Sequence, residues 1–398
     1  MKYVLGVCGS VSAYKACDIL RGLIKEGHEV KVILTKGAKN FIPKEQFTYL
    51  GATAVYSYND DFIKREKAIL HIDLKHWLDR LVIAPASANT IAKLACGLCD
   101  DLLTSVFLSC EEKDKFIFPA MNTSMLTNTI TQDNFKRLRS LSNCFIHPTT
   151  SGVLACGDEG EGKLPLPEDI VEFLGCYSFL KNERSVLITT GATKAPLDPV
   201  RYLTNPSSGK TGIELCRAYL KSGYNVTLVA GEEVNIPKAF YSHPNITVTK
   251  VMTTGEMFSE VDRIFPQTDI FISTAAVSDI KFKTSNAKLK KSDKVELDFE
   301  WDRDILKTML EKRSHQKIVG FAAETQLSEE KIAKKLESKP VDLLIANEVS
   351  NGFDQAKKGF GSIGNKYTFI KNGKIDSEIE LSKSQLAEKI LNEVNQLW

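Results

Sequence analysis

The chain has 398 residues, 43% of them apolar, and 52 basic side chains against 50 acidic ones leave a formal net charge of +2. That length fills two or three domains with cores of their own, and the near-neutral balance excludes the electrostatic footprint of a nucleic-acid binder. The longest apolar runs are strand-sized, so no membrane span is expected, and nine scattered cysteines, an odd number, fit reduced thiols in the cytoplasm better than a disulfide framework.

Residues 1–182 alternate short apolar runs with helical patterns. Tyr3 to Val7 reads as a strand that runs into Gly9, Ser10 and Ser12 ahead of a helix carrying Lys15. Further strands are expected at Glu29 to Thr35, Arg80 to Ala84, Lys115 to Pro119 and Cys144 to His147. Such alternation predicts a doubly wound parallel sheet with ligands at the carboxyl ends of its strands. Polar side chains gather at those ends: Ser10, Ser12 and Thr35, then Ser87, Asn89 and Thr90. Singly, Ser10 or Ser87 reads as an ordinary helix N-cap; as a set they suit the phosphate of a mononucleotide such as FMN in a flavodoxin-like sheet. The fingerprint GxGxxG is absent, which weakens a dinucleotide reading.

Two metal or redox readings are set aside. Cys96 and Cys99 have CxxC spacing but follow the helical run ANTIAKLA, where the helix C-terminus disfavours a thiolate, and no second pair completes a zinc site. His71 and His76 are five apart, on different helix faces, so no metal held by histidines is expected.

Asn182 to Arg184 is a short polar linker, and residues 183–398 form a second, Rossmann-like α/β domain. Strands are expected near Ser185 to Thr190, Asn225 to Val229, Asp269 to Thr274, Lys317 to Phe321 and Asp342 to Ala346. Tyr367 to Lys371, Asn372-Gly373 and Ile375 to Ile379 give a hairpin signal, and Ser382 to Trp398 closes as an amphipathic helix. Within Val186 to Gly212 an apolar run meets Gly191, then a loop, then Ser207, Ser208, Gly209 and Lys210 at a helix start. Free N–H groups with hydroxyls and a lysine alongside are an anion site in outline. Gly209, Lys210 and Thr211 imitate the tail of a P-loop, but Thr204 stands where that motif needs glycine, so a P-loop ATPase is a minor alternative.

Several motifs carry a family resemblance. HIDLKHWLD begins at His71, PASANT spans 85–90, PAMNTSM spans 119–125, and SGVLACGDEGEG spans 151–162 around Cys156. Together they resemble the flavin-dependent cysteine decarboxylases, specifically phosphopantothenoylcysteine decarboxylase. The stretch from Val186 to Gly212 resembles the phosphopantothenate–cysteine ligase fused behind that enzyme in bacteria. The resemblance spans nearly the whole chain and implies a bifunctional enzyme of coenzyme A biosynthesis: a decarboxylase domain over 1–182 and a ligase domain over 183–398.

In the first domain the resemblance implies FMN as electron sink while the substrate's cysteine side chain is oxidised to a thioaldehyde and loses its carboxylate. His71 matches the catalytic base, Asn122 the residue holding the carboxylate, and Cys156 the proton donor of the final reduction. Gly152, Gly157, Gly160 and Gly162 fit a mobile flap. In the second domain it implies attack of the 4'-phosphopantothenate carboxylate on the α-phosphate of CTP, with Mg2+, to give an acyl-cytidylate that the amine of L-cysteine resolves. Asn205 matches a residue placed at that intermediate, and Lys288 and Lys290, in KLKK, match a mobile lysine motif that neutralises the leaving pyrophosphate. Ser207, Ser208, Gly209 and Lys210, with Ala275 and Asp279 of AAVSD, Phe321 and Ala322 of GFAAET, and Asn347 of IANEV, match the nucleotide pocket. No metal ligand is identified.

The resemblance also implies a homo-oligomer, with trimeric flavin domains, dimeric ligase domains and a dodecamer as the assembly combining both. Departures from the family pattern are Asp101, Leu126, Lys163 and Arg303. The rival readings are a single-activity flavoprotein of the prenyltransferase or redox type, or a flavin-binding regulatory protein with an inactive second domain. The latter would be expected to lack His71 or Cys156.

Overall fold

The computed structural model describes residues 1–62, 69–153, 157–289, 298–324, 328–348, 364–371 and 374–398. They form two compact units, Met1–Leu174 and Gly175–Trp398.

The first unit runs β1 (Lys2–Val7), α1 (Lys15–Lys25), β2 (Glu29–Leu34), α2 (Lys44–Tyr49), β3 (Ala54–Ser57) and α3 (Leu70–Trp77). It continues with β4 (Arg80–Ala86), α4 (Ala88–Cys96), α5 (Leu102–Ser109), β5 (Asp114–Pro119), α6 (Thr123–Thr127), α7 (Thr129–Arg139) and β6 (Cys144–Ile146). A hairpin of β7 (Thr150–Val153) and β8 (Glu159–Lys163) precedes α8 (Pro167–Cys176). The six long-range strands are parallel in the order β3-β2-β1-β4-β5-β6. This is the doubly wound parallel layering expected, with the strand order reversing between β1 and β4. Every residue of β4 is buried, as befits a central strand covered on both faces. Helix α1 buries Ala16, Cys17, Ile19, Leu20 and Leu23, one apolar stripe at helical spacing.

The second unit runs β9 (Ser185–Thr190), β10 (Lys194–Pro196), β11 (Tyr202–Thr204), α9 (Lys210–Lys221), β12 (Asn225–Gly231), α10 (Lys238–Ser242), β13 (Ile246–Val251) and α11 (Thr254–Ile264). Then follow β14 (Ile270–Ser273), β15 (Ile280–Phe282), β16 (Phe299–Trp301), α12 (Ile305–Glu311), β17 (Lys317–Glu324), α13 (Glu329–Ser338) and β18 (Leu343–Glu348). The chain ends in β19 (Gly364–Lys371), β20 (Lys374–Ser382) and α14 (Lys383–Asn395). The sheet order is β13-β12-β9-β14-β17-β18-β19-β20, parallel except for the last two strands. Side-chain alternation builds two cores from one strand. Val186 and Ile188 pack with Leu215 and Tyr219 of α9, while Leu187 packs with Met257 of α11 and Met309 of α12.

The expected strands and the closing hairpin are present, although Asn372-Gly373 itself lies outside the described residues. Of the strands in the two main sheets, β3 and β13 were not expected, nor were the small two-stranded sheets β7–β8, β10–β11 and β15–β16. β3 and β13 are both edge strands, and β13 interleaves Thr247, Thr249 and Lys250 with Ile246, Val248 and Val251 over a mostly half-exposed run, which gives a weaker apolar signal than a buried central strand. Among the described residues, no helix is long and apolar enough to cross a membrane.

Candidate active sites

In the first unit the carboxyl ends of β1, β2, β4 and β5 lie side by side, and the expected residues follow them. Ser10 accepts from the Ser12 N–H at 3.3 Å, and Ser87 caps α4 by accepting from the Thr90 N–H at 3.3 Å. Ser10, Ser12 and Ser87 stay half-buried and Asn89 is exposed. Thr35 and Thr90 lie deeper than these. Both are buried; Thr35 donates to the Val7 carbonyl and accepts from the Ala38 N–H, and Thr90 Oγ1 accepts from Ser87. The Thr35 hydroxyl ties the end of β2 to that of β1, and the Thr90 hydroxyl braces the start of α4.

His71 occupies the first turn of α3, a crossover helix between parallel strands, which places it toward the same carboxyl edge. Its Nδ1 lies 2.6 Å from Oδ2 of Asp61, a side chain only 7% exposed. Sequence reading missed Asp61 because it stands ten residues upstream with no motif of its own.

Asn122 follows β5 as the N-cap of α6, its side-chain oxygen accepting from the Ser124 N–H at 2.9 Å. The β7–β8 hairpin docks on this turn. The Met121 N–H donates to the Gly162 carbonyl at 3.0 Å, and the Thr123 hydroxyl donates to the Glu161 carbonyl at 2.6 Å. Gly162 has φ +123°, and a Cβ there would collide with the Met121 carbonyl oxygen; a Cβ on Gly160 would meet Thr123 Oγ1. The glycines therefore serve close docking as well as conformational freedom. Cys156 falls between the hairpin strands and lies outside the described residues. Of the departures, Asp101 caps α5 through a reciprocal capping box, Leu126 packs into the core with Phe135 and Leu138, and the Lys163 amine lies over Gly152.

The second unit holds a cavity of about 280 Å³ between the ends of β9 and β14, where the strand order reverses. Ser207, Ser208, Gly209, Lys210, Ala275, Asp279, Phe321 and Asn347 line it together. Gly209 is the left-handed N-cap of α9 (φ +73°), and its carbonyl accepts from the Thr190 hydroxyl at 2.9 Å, fixing the helix start to the end of β9. Ala322 is the exception: it is 2% exposed and faces the core, because alternation along β17 turns Phe321 and Ala323 to the cavity instead.

Asn205 reaches across from the loop before α9, its Nδ2 donating to the carbonyls of Ala276 and Val277 at 3.2 and 3.1 Å. The AAVSD turn is held from below by a buried network. Thr193 Oγ1 lies 2.9 Å from Thr254 Oγ1 and accepts from the Ser278 N–H at 2.8 Å. Lys288 is exposed and does not line the cavity, and Lys290 lies outside the described residues. Its neighbour Leu289 is pinned: its N–H donates to Asp198 at 3.1 Å and its carbonyl accepts from Arg201 at 2.7 Å. The Arg201 guanidinium holds the Asp198 carboxyl well below the usual carboxylate range.

The cavity also takes residues that the motifs did not flag: Arg303, Lys339, Asn365, Tyr367 and Lys383. Arg303 was noted only as a departure; its guanidinium stacks 4.8 Å from the Phe258 ring. Lys339 pairs with Asp304 at 2.5 Å. Burial works to raise the Asp304 pKa, but the Lys339 contact and the Lys307 N–H outweigh it and lower it. Among the described residues there is no group of three side chains fit to hold a metal ion.

Residues 1–176 match the Flavoprotein family, and residues 181–397 match the DNA/pantothenate metabolism flavoprotein C-terminal domain. The chain is 37% identical over 402 residues to the coenzyme A biosynthesis bifunctional protein CoaBC of Bacillus subtilis, covering 98% of this chain and 96% of that protein. The proteins of the same name from Haemophilus influenzae and Escherichia coli K12 are each 35% identical, with 98% of this chain covered and 96% and 95% of theirs. The chain therefore belongs to the CoaBC family of bifunctional coenzyme A biosynthesis enzymes, a flavoprotein decarboxylase unit followed by a ligase unit.

Proposed function

We propose that residues 183–398 join 4'-phosphopantothenate to L-cysteine at the expense of CTP, and that residues 1–182 decarboxylate the product to 4'-phosphopantetheine with FMN. The observation that carries the ligase half is the cavity at the β9–β14 crevice, where four separated motifs meet. In it the carboxylate oxygen of the acid bonds to the α-phosphorus of CTP as pyrophosphate leaves, and the amine of cysteine then displaces CMP. Ser207, Ser208, the α9 N-terminus and Lys210 receive phosphate oxygens, while Phe321 and Asn347 wall the nucleoside. Asn205 orients the acyl intermediate against the 276–277 carbonyls. Lys288 and Lys290 neutralise the leaving pyrophosphate, and Leu289 between them is anchored to Asp198 and Arg201. Mg2+ bound with the triphosphate would neutralise phosphate charge as pyrophosphate departs, beside a cavity wall that includes Asp279.

In the first unit the donor set at the strand ends is neutral: Ser10, Ser12, Ser87 and Asn89. That chemistry fits the phosphate ester of FMN. When bound, FMN supplies the two-electron sink that makes loss of CO2 feasible. His71 removes a proton through Nε2, Asn122 orients the carboxylate, and Cys156 on the flap returns a proton. The enzyme is placed in the cytoplasm as a homo-oligomer of trimeric flavin units and dimeric ligase units. His71→Asn should abolish CO2 release while sparing pyrophosphate release from CTP, and Lys288→Gln should abolish pyrophosphate release while sparing CO2 release from 4'-phosphopantothenoylcysteine supplied directly. Either variant at wild-type rate in its own half-reaction would refute its assignment.

A further inference from the structure

Two helices of the ligase unit begin with a lysine at the edge of the same cavity. Lys210 is the first residue of α9 and Lys383 the first residue of α14, and these helices pack against each other although 173 positions separate the two lysines. The placement opposes folding on three counts. A helix N-terminus carries the positive end of the dipole and disfavours a cation. Lys383 is half-buried, and burial, followed by repulsion from Lys210, lowers its pKa. Glu214 offsets this in part, but it already forms an ion pair with Arg217. Among the described residues, neither Lys210 nor Lys383 makes an ion pair, whereas Lys339, also on the cavity, is balanced by Asp304 at 2.5 Å. Local choices that oppose stability are expected where function demands them.

We propose that Lys383 is a substrate-contacting residue of the ligase, which with Lys210 holds the β- and γ-phosphates of the nucleotide and then the departing pyrophosphate. This rests on the ligase reading above. As the carboxylate oxygen bonds to the α-phosphorus, the bond from that phosphorus to the bridging oxygen breaks, and its electron pair leaves on pyrophosphate. The added negative charge forms beside two ammonium groups and two helix N-termini. The polyanion relieves the repulsion between the lysines, so the end of the cavity that is costly when empty becomes favourable when filled.

The test titrates the full chain with inorganic pyrophosphate and, separately, with CMP, for the wild type, Lys383→Met and Lys383→Arg. Lys383→Met should weaken pyrophosphate binding on the order of ten- to hundredfold, the scale of one charged hydrogen bond. It should leave CMP binding unchanged and slow CTP-dependent pyrophosphate release, with Lys383→Arg retaining most of both. Pyrophosphate affinity unchanged in Lys383→Met would overturn the proposal. Equal loss of CMP and pyrophosphate in both variants would give Lys383 a purely structural role and overturn it too. A wild-type chain that bound CMP and released no pyrophosphate from CTP would instead defeat the ligase reading itself.

Discussion

Nδ1 of His71 lies 2.6 Å from Oδ2 of Asp61, and the backbone N–H of the same histidine donates to Oδ1 at 3.1 Å. One shielded carboxylate thus grips both the ring and the main chain. Asp61 as acceptor keeps the proton on Nδ1 and leaves Nε2 with its lone pair for the substrate. Asp61→Asn can donate to Nδ1 instead and move the proton to Nε2. CO2 release from 4'-phosphopantothenoylcysteine should then fall on the order of 10²–10⁴-fold, with pyrophosphate release from CTP unchanged. Single-turnover measurement of CO2 checks this, and a wild-type rate would remove Asp61 from the mechanism.

Docking of the β7–β8 hairpin depends on Gly162. Its φ of +123° and the nearby Met121 carbonyl leave no room for a side chain. Gly162→Ala should cost roughly 1–3 kcal/mol locally, loosen the turn that carries Asn122, and depress CO2 release alone. Hydrogen exchange over 119–125 and 159–163 should rise in parallel. Unchanged exchange together with unchanged CO2 release would show that the hairpin seats in another way.

A pH effect follows from His243. The ring is 4% exposed, lies 5.1 Å from the Tyr177 ring, and accepts the Asn245 N–H on Nδ1 at 3.1 Å, which requires the neutral form. Burial lowers its pKa to about 4. The unfolded chain takes up this proton near pH 6.5 and the folded chain does not, so folding loses stability as pH falls from about 6.5 toward 4 and gains none above that window. The loss reaches about 3 kcal/mol at its full extent. Urea midpoints from pulse proteolysis of the full chain at about pH 7 and about pH 5 should diverge for the wild type and converge for His243→Phe. An equal shift in midpoint between the two pH values for both proteins would assign the acid sensitivity elsewhere.

Much of the fold was legible because parallel strands are nearly continuous apolar runs, as in Arg80–Ala86, which is followed by a helix capped by Ser87. The ligase cavity was legible where its walls were contiguous motifs at strand ends, such as Ser207–Lys210 and Ala275–Asp279. Lys339 and Lys383 were not legible: each is one lysine among many, and only the packing of distant elements brings it to the cavity. Ala322 stands apart from its motif neighbours for the opposite reason. A motif names neighbours together, while a strand sends alternate side chains to opposite faces. Asp61 and the Asp198–Arg201 clamp were invisible because their partners are fixed by tertiary contacts, His71 after a crossover and Leu289 some 90 residues away.

The central claim is that one chain runs two sequential reactions, and the most direct test supplies the full-length protein with 4'-phosphopantothenate, L-cysteine, CTP, Mg2+ and FMN. Pyrophosphate and CO2 are followed separately. The account predicts pyrophosphate first, then CO2 after a lag, with no CO2 when CTP is withheld. CO2 evolved without CTP, or pyrophosphate formed with no CO2 to follow, would contradict it.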